Sequence, residues 1–123
     1  MRTCVRVTSQ GNPYSRFQRA VAIGNLALIR ATAAELPRIG VAEAAAMLLV
    51  IERAAPESYQ RAALRWLAML CNERRARVDL AAISEAAAAL NELPRQSTAN
   101  ATLAAICERV GLRDAARVFA GSD

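Results

Sequence analysis

An all-α fold, six or seven helices arranged as a bundle or a short α-solenoid-like array, follows from three features of the chain. Of its 123 residues 54% are hydrophobic but only 4% aromatic, so Ala and Leu, both strong helix formers, supply the apolar content and strand-favouring residues are sparse. Apolar residues recur at three- and four-residue spacing, the period of a half-buried helix. Most of the five Gly and four Pro fall between these periodic segments, where helices start and stop. At this length a single domain is expected, with enough buried surface to stand without disulfides or a structural metal.

Residues 1–12 alternate weakly, Val5 and Val7 against Arg2, Arg6 and Gln10, and read as an N-terminal tail to a helical domain over 13–120. Asn12-Pro13 reads as an N-cap followed by a first helical residue that needs no amide partner. The first helix runs to about Ile23, where Gly24-Asn25 marks a turn; one long bent helix is the alternative. A second helix spans about Leu26 to Leu36 and is ended by Pro37.

The third helix, about Val41–Ala54, carries Ala44–Ile51, apolar on every side, so it must be surrounded by other helices and is the expected central element. Pro56 opens the fourth, in which Tyr59, Ala63, Trp66 and Leu70 form one apolar stripe and Leu64, Leu67 and Cys71 an adjoining one. Asp79 is the expected N-cap of a fifth helix ending at Leu93-Pro94. Ser97 or Thr98 caps a sixth that ends at Val110-Gly111. A short seventh helix covers about Arg113–Phe119.

The chain also repeats itself. Glu35-Leu36-Pro37-Arg38 recurs as Glu92-Leu93-Pro94-Arg95, Phe17-Gln18-Arg19-Ala20 as Tyr59-Gln60-Arg61-Ala62, and the Glu52-Arg53 that follows an apolar run as Glu108-Arg109. The common order suggests two three-helix units, 13–54 and 56–110, each needing its neighbour to cover its apolar face. Short chance matches in a chain rich in Ala, Arg, Glu and Leu are the competing reading.

NPYSRFQRAVAIGNLALIRATAAELP, together with RAALRWLAML, resembles a set of small Ala/Arg-rich helical proteins of high-GC actinobacterial genomes, a likeness that covers about half the chain. The resemblance implies a helical fold and no particular activity, substrate or site.

Function classes can be narrowed by residue type. The chain has no His, which removes the commonest general base and the commonest metal ligand together, and no Gly-rich phosphate loop or nucleophile elbow is present. The acids read as surface partners of arginines, Glu57 with Arg61 and Glu73 with Arg77 at helical spacing. The expectation is therefore a protein that is no enzyme and needs no cofactor or metal. Three cysteines, Cys4, Cys71 and Cys107, make neither an even disulfide set nor a C-x-x-C pair, which fits a reducing, cytoplasmic setting. Cys71 and Cys107 fall on apolar stripes and are expected in the core. No signal-peptide core occurs near the N-terminus, and the longest apolar run falls far short of the ~20 residues that span a bilayer.

Two partner classes remain. The net charge of +5 rests on 16 basic residues, all of them Arg. Arg61, Arg65, Arg74, Arg75 and Arg77 form a candidate surface for nucleic acid or another partner. Arg without Lys beside abundant Ala is also what GC-rich codon usage produces, so basicity alone carries little weight. Leu103–Leu112 followed by Arg113–Phe119 loosely resembles a helix-turn-helix, but its second helix is short and Ala115, Ala116, Val118 and Phe119 read as packing residues. The leading expectation is a helical protein–protein interaction module, binding another protein or itself. Tyr14 and Trp66 are its candidate interface aromatics, with core packing the competing reading for Trp66. Nucleic acid is the alternative partner.

Overall fold

A computed structural model describes residues 12–121, so the expectations for the tail and Cys4 lie outside the described residues. Within them the fold is all-α, with seven α-helices and no strand. Among the described residues no helix is long and apolar enough to cross a membrane. The packing divides at Ile39/Gly40 into two compact units.

The first unit is a helix pair, α1 (Pro13–Ile23) and α2 (Leu26–Ala33). Asn12 accepts from the Tyr14 amide at 2.9 Å, capping α1, and Asn25 accepts from the Leu28 amide at 3.1 Å, capping α2. Between them Gly24 takes φ +81°, a left-handed conformation that ends α1 without a Cβ penalty, and the expected turn is formed. α2 stops at Ala33, short of the expected Leu36. Pro37 disfavours helix in the residue before it, and the chain tightens early through three-residue bonds, Glu35 N to Thr32 O and Leu36 N to Ala33 O. Phe17, Ala20, Ile29, Thr32, Ala33 and Leu36 are buried, and the Arg16 guanidinium pairs with the Glu35 carboxylate.

The second unit is a ring of five helices: α3 (Val41–Ala54), α4 (Tyr59–Cys71), α5 (Leu80–Glu92), α6 (Ala99–Val110) and α7 (Arg113–Ala120). Each packs on the next and α7 closes back on α3, with the α4–α5 seam the loosest. α3 starts where the Glu43 carboxylate accepts the Gly40 amide at 2.8 Å. Four successive residues, Leu48 to Ile51, are buried, which a helix manages only when covered on all sides, as its sequence requires.

Pro56–Ser58 is a 3₁₀ turn and α4 begins only at Tyr59. Its stripe of Tyr59, Ala63, Trp66 and Leu70 is buried as the spacing predicts. The adjoining stripe is a correction. Leu64 is 60% exposed, Leu67 is half-buried and Cys71 is exposed, because α5 lies to one side of them and leaves that sector of α4 open.

Trp66 takes the core position rather than an interface one. It is 1% exposed, its indole Nε1 donates to the Val41 carbonyl at 3.0 Å, and it meets Phe119 edge-to-face with centroids 5.3 Å apart. One side chain thus joins α4 to α3 and to α7, and such a ring pair adds about 0.5–1.5 kcal/mol beyond the area it buries.

Asp79 caps α5 by accepting from the Ala82 amide at 2.8 Å. Ser97 and Thr98 do not cap α6 through their side chains. Thr98 is already helical at φ −60°, ψ −19°, and a tight turn, Ala99 N to Gln96 O and Asn100 N to Ser97 O, leads into the helix instead. α6 ends at Gly111, φ +97°, where the Leu112 amide reaches back to the Cys107 carbonyl at 2.8 Å in a Schellman arrangement. α7 turns Ala115, Ala116 and Phe119 into the core.

Candidate functional site

The loose seam between α4 and α5 leaves a groove of about 410 Å³. Its α4 wall is Tyr59, Gln60, Ala63, Leu64 and Leu67, its α5 wall Ala87, Leu90 and Asn91, and Pro56, Pro94 and Arg95 stand together at the end where Tyr59 meets Leu90. The lining is mostly apolar, with two amides to hydrogen-bond and one guanidinium. It holds no carboxylate and no thiol.

Tyr59 fixes one end of this seam. Its hydroxyl donates to the Leu90 carbonyl at 2.6 Å. In an uninterrupted helix that carbonyl would accept the amide of residue 94, but Pro94 has no N–H to give. The phenol of α4 therefore completes the C-terminal turn of α5. Burial, and secondly the Glu52 carboxylate, push the Tyr59 phenol up to about 12, so it stays a protonated donor across the physiological range.

Across α5, a shallower hollow of about 350 Å³ is lined by Glu85, Glu92, Gln96, Thr98 and Thr102 among small residues. The Glu85 carboxylate there accepts from Arg109 on α6 at 2.5 Å, so it is already engaged in holding the two helices together.

The five sequence-predicted arginines are all exposed, but they sit on two elements. Arg61 and Arg65 lie one turn apart on α4, beside Leu64. Arg74, Arg75 and Arg77 lie in the α4–α5 connection, where the Arg75 amide donates to the Glu73 carboxylate and the Arg77 amide donates to the Val110 carbonyl at 3.0 Å. Among the described residues the ion pairs are Arg16–Glu35, Arg109–Glu85, Arg113–Glu108 and Arg117–Asp114. Neither Glu57/Arg61 nor Glu73/Arg77 is formed, since Glu57 stands in the 3₁₀ turn and Glu73 beyond the end of α4, where the helical four-residue register does not hold.

Of the two candidate interface aromatics, Tyr14 is 38% exposed on α1 and Trp66 is enclosed. Cys107 is buried as expected, and burial pushes its thiol up to about 11. The residues that sequence reasoning missed are Leu64, Leu67 and Arg95. The available signal was the polar company of Leu64, flanked by Gln60, Arg61 and Arg65 on the same turns of helix. Comparison of the chain with family models, with curated proteins and with solved structures finds no match.

Proposed function

We propose that the chain is a non-enzymatic helical interaction module that binds a protein partner in the α4–α5 groove. The observation that carries this reading is Leu64, 60% exposed in the wall of a concave apolar surface that also includes Ala63, Leu67, Ala87 and Leu90. A lone exposed Leu needs no explanation, but one set in a groove beside other apolar side chains has the form of an anchor site. Both described cysteines are free, which fits a reducing, cytoplasmic setting.

The test is selection from a display library of helical peptides on the folded protein, followed by rebinding to Leu64→Glu. Peptides that bind the wild-type chain and lose at least tenfold in affinity to the variant support the reading. Recovery of no Leu64-dependent peptide, with both proteins equally helical by circular dichroism, overturns it.

A second reading, a basic protein associated with nucleic acid, is favoured by one observation: Arg61, Arg65, Arg74, Arg75 and Arg77 are exposed and outside the ion pairs of the described residues. Labelled oligonucleotides titrated at low salt decide it, because phosphate contacts of this kind weaken steeply as salt rises and are strongest where it is low. Absence of binding at low salt removes this reading.

A further inference from the structure

We infer that α4 and the connection that follows it, residues 59–78, hold the phosphate backbone of a nucleic-acid duplex without reading its sequence. This surface is separate from the groove, and the inference rests on the second reading above, which it makes specific. Charge is unevenly placed along the chain. Residues 59–78 contain five arginines against one carboxylate, Glu73, so four of the chain's net +5 charges fall within this segment. Among the described residues α4 is also the helix of the second unit that has no acid of its own. Arg109, Arg113 and Arg117 on α6 and α7 each face a carboxylate, while Arg61, Arg65, Arg74, Arg75 and Arg77 are outside the ion pairs of the described residues. Codon usage accounts for Arg in place of Lys, but not for acids sorted away from one helix. The nearby acids do not offset the segment either: Glu73 accepts from the Arg75 amide, Asp79 is turned to the Ala82 amide of α5, and Glu57 is in none of these ion pairs.

Arg61, Arg65, Ala68 and Asn72 follow one line along α4, at the three- and four-residue spacing that keeps side chains on one face, and all four are exposed. From Arg61 to the end of α4 this line runs ~15 Å at helical rise, and Arg74 and Arg75 follow just beyond it. A duplex presents about four phosphates per strand over that length. The line carries no large apolar side chain, Leu64 lying to one side in the groove wall. An acidic protein would need an apolar centre to its interface, and a membrane surface would need apolar side chains to bury beside the cations. Phosphate contacts need neither. The aromatic rings of the second unit, Tyr59, Trp66 and Phe119, are all buried and offer no platform for stacked bases, which selects a duplex over a single strand. Two arginines on one line are too few to read several successive bases in the major groove, so the contacts fall on the backbone.

Fluorescence anisotropy with a short labelled DNA duplex, a duplex of scrambled sequence and the single strand tests this on three proteins: wild type, Arg61→Ala/Arg65→Ala, and the control Arg113→Ala/Arg117→Ala. The control removes the same charge from α7, and all four altered side chains are exposed, so helix content by circular dichroism should be equal in the three. Wild type is expected to bind both duplexes alike and the single strand more weakly. Its duplex affinity should fall roughly a hundredfold between about 50 and 200 mM salt, as about four phosphate contacts require. The α4 variant should show a slope of log affinity against log salt shallower by about two, and the control an unchanged slope. No binding to any of the three probes at low salt removes the second reading and this inference together. Binding whose slope is unaffected in the α4 variant, or lowered equally in the control, keeps the reading and overturns the assignment to α4. Tighter binding to the single strand or to one of the two duplex sequences overturns the backbone mode. Tighter binding to phosphatidylserine vesicles or to polyglutamate than to the duplex, through the same two arginines, makes the partner a membrane or an acidic protein and overturns the inference as well.

Discussion

Replacing Tyr59 with Phe removes one oxygen and isolates the seam contact on which the groove is built. The ring stays, so packing in the α4 stripe is preserved, but the Leu90 carbonyl loses its donor. Because Pro94 cannot replace it and Leu90 is 4% exposed, the variant keeps a buried acceptor with no partner, a cost of about 1–3 kcal/mol. For a unit of this size that corresponds to a melting temperature lower by roughly 4–8 °C per kcal/mol.

The same oxygen makes a second, opposite-signed contribution at high pH. The phenol titrates near 10 in the unfolded chain and is held up to about 12 in the fold. The fold therefore binds the proton more tightly, and the associated stability is complete below pH 10 and declines as pH rises toward 12. At pH 11 the wild-type chain has lost about 1.4 kcal/mol by this route, and Tyr59→Phe has lost none. The Cys107 thiol, raised from 9.0 to about 11, gives a similar decline starting one unit lower, but it is common to both proteins and cancels in their difference. Urea denaturation followed by circular dichroism at pH 7 and at pH 11 measures both effects. The destabilisation caused by Tyr59→Phe should shrink by about 1.4 kcal/mol between the two conditions. An unchanged difference, or a variant as stable as wild type at pH 7, would refute the assignment of the phenol as sole donor to Leu90.

Asn100 is 5% exposed and its Oδ1 has no hydrogen-bond partner. Asn100→Ala removes a costly buried acceptor and raises helix propensity in α6, so it should melt no lower than wild type; a fall of several degrees would show that the amide is doing bonding work. Gly111→Ala forces a Cβ into a left-handed conformation, φ +97°. Nothing lies within 4 Å of that Cβ, so the cost is conformational alone, about 1–2 kcal/mol by denaturation, and a neutral result would mean that the α6–α7 turn relaxes freely.

Much of the architecture was legible because it depends on neighbours along the chain. Asn12, Gly24, Asn25, Asp79 and Gly111 each act within one turn of their own position, through a cap or a left-handed φ, and each does in the structure what its residue type and flanking pattern imply. The stripe Tyr59, Ala63, Trp66, Leu70 was legible for a related reason: an uninterrupted apolar line at helical period must be covered by something. The early end of α2, the 3₁₀ start before α4 and the absent side-chain cap of α6 were less so, because they depend on backbone adjustments of a residue or two beside Pro37, Pro56 and the 96–98 turn.

The groove belongs to the other category. Leu64 and Cys71 carry the same periodic signal as core residues, and periodicity says which side chains share a face without saying whether another helix reaches that face. That is settled by where α5 lies, and so by a ring of five helices closing through contacts between segments far apart in sequence. The chain alone determined that it would be helical and where its helices turn, since these are short-range matters of propensity and capping. Only the tertiary packing decided that one apolar sector of α4 stays open, because exposure depends on which helices end up adjacent.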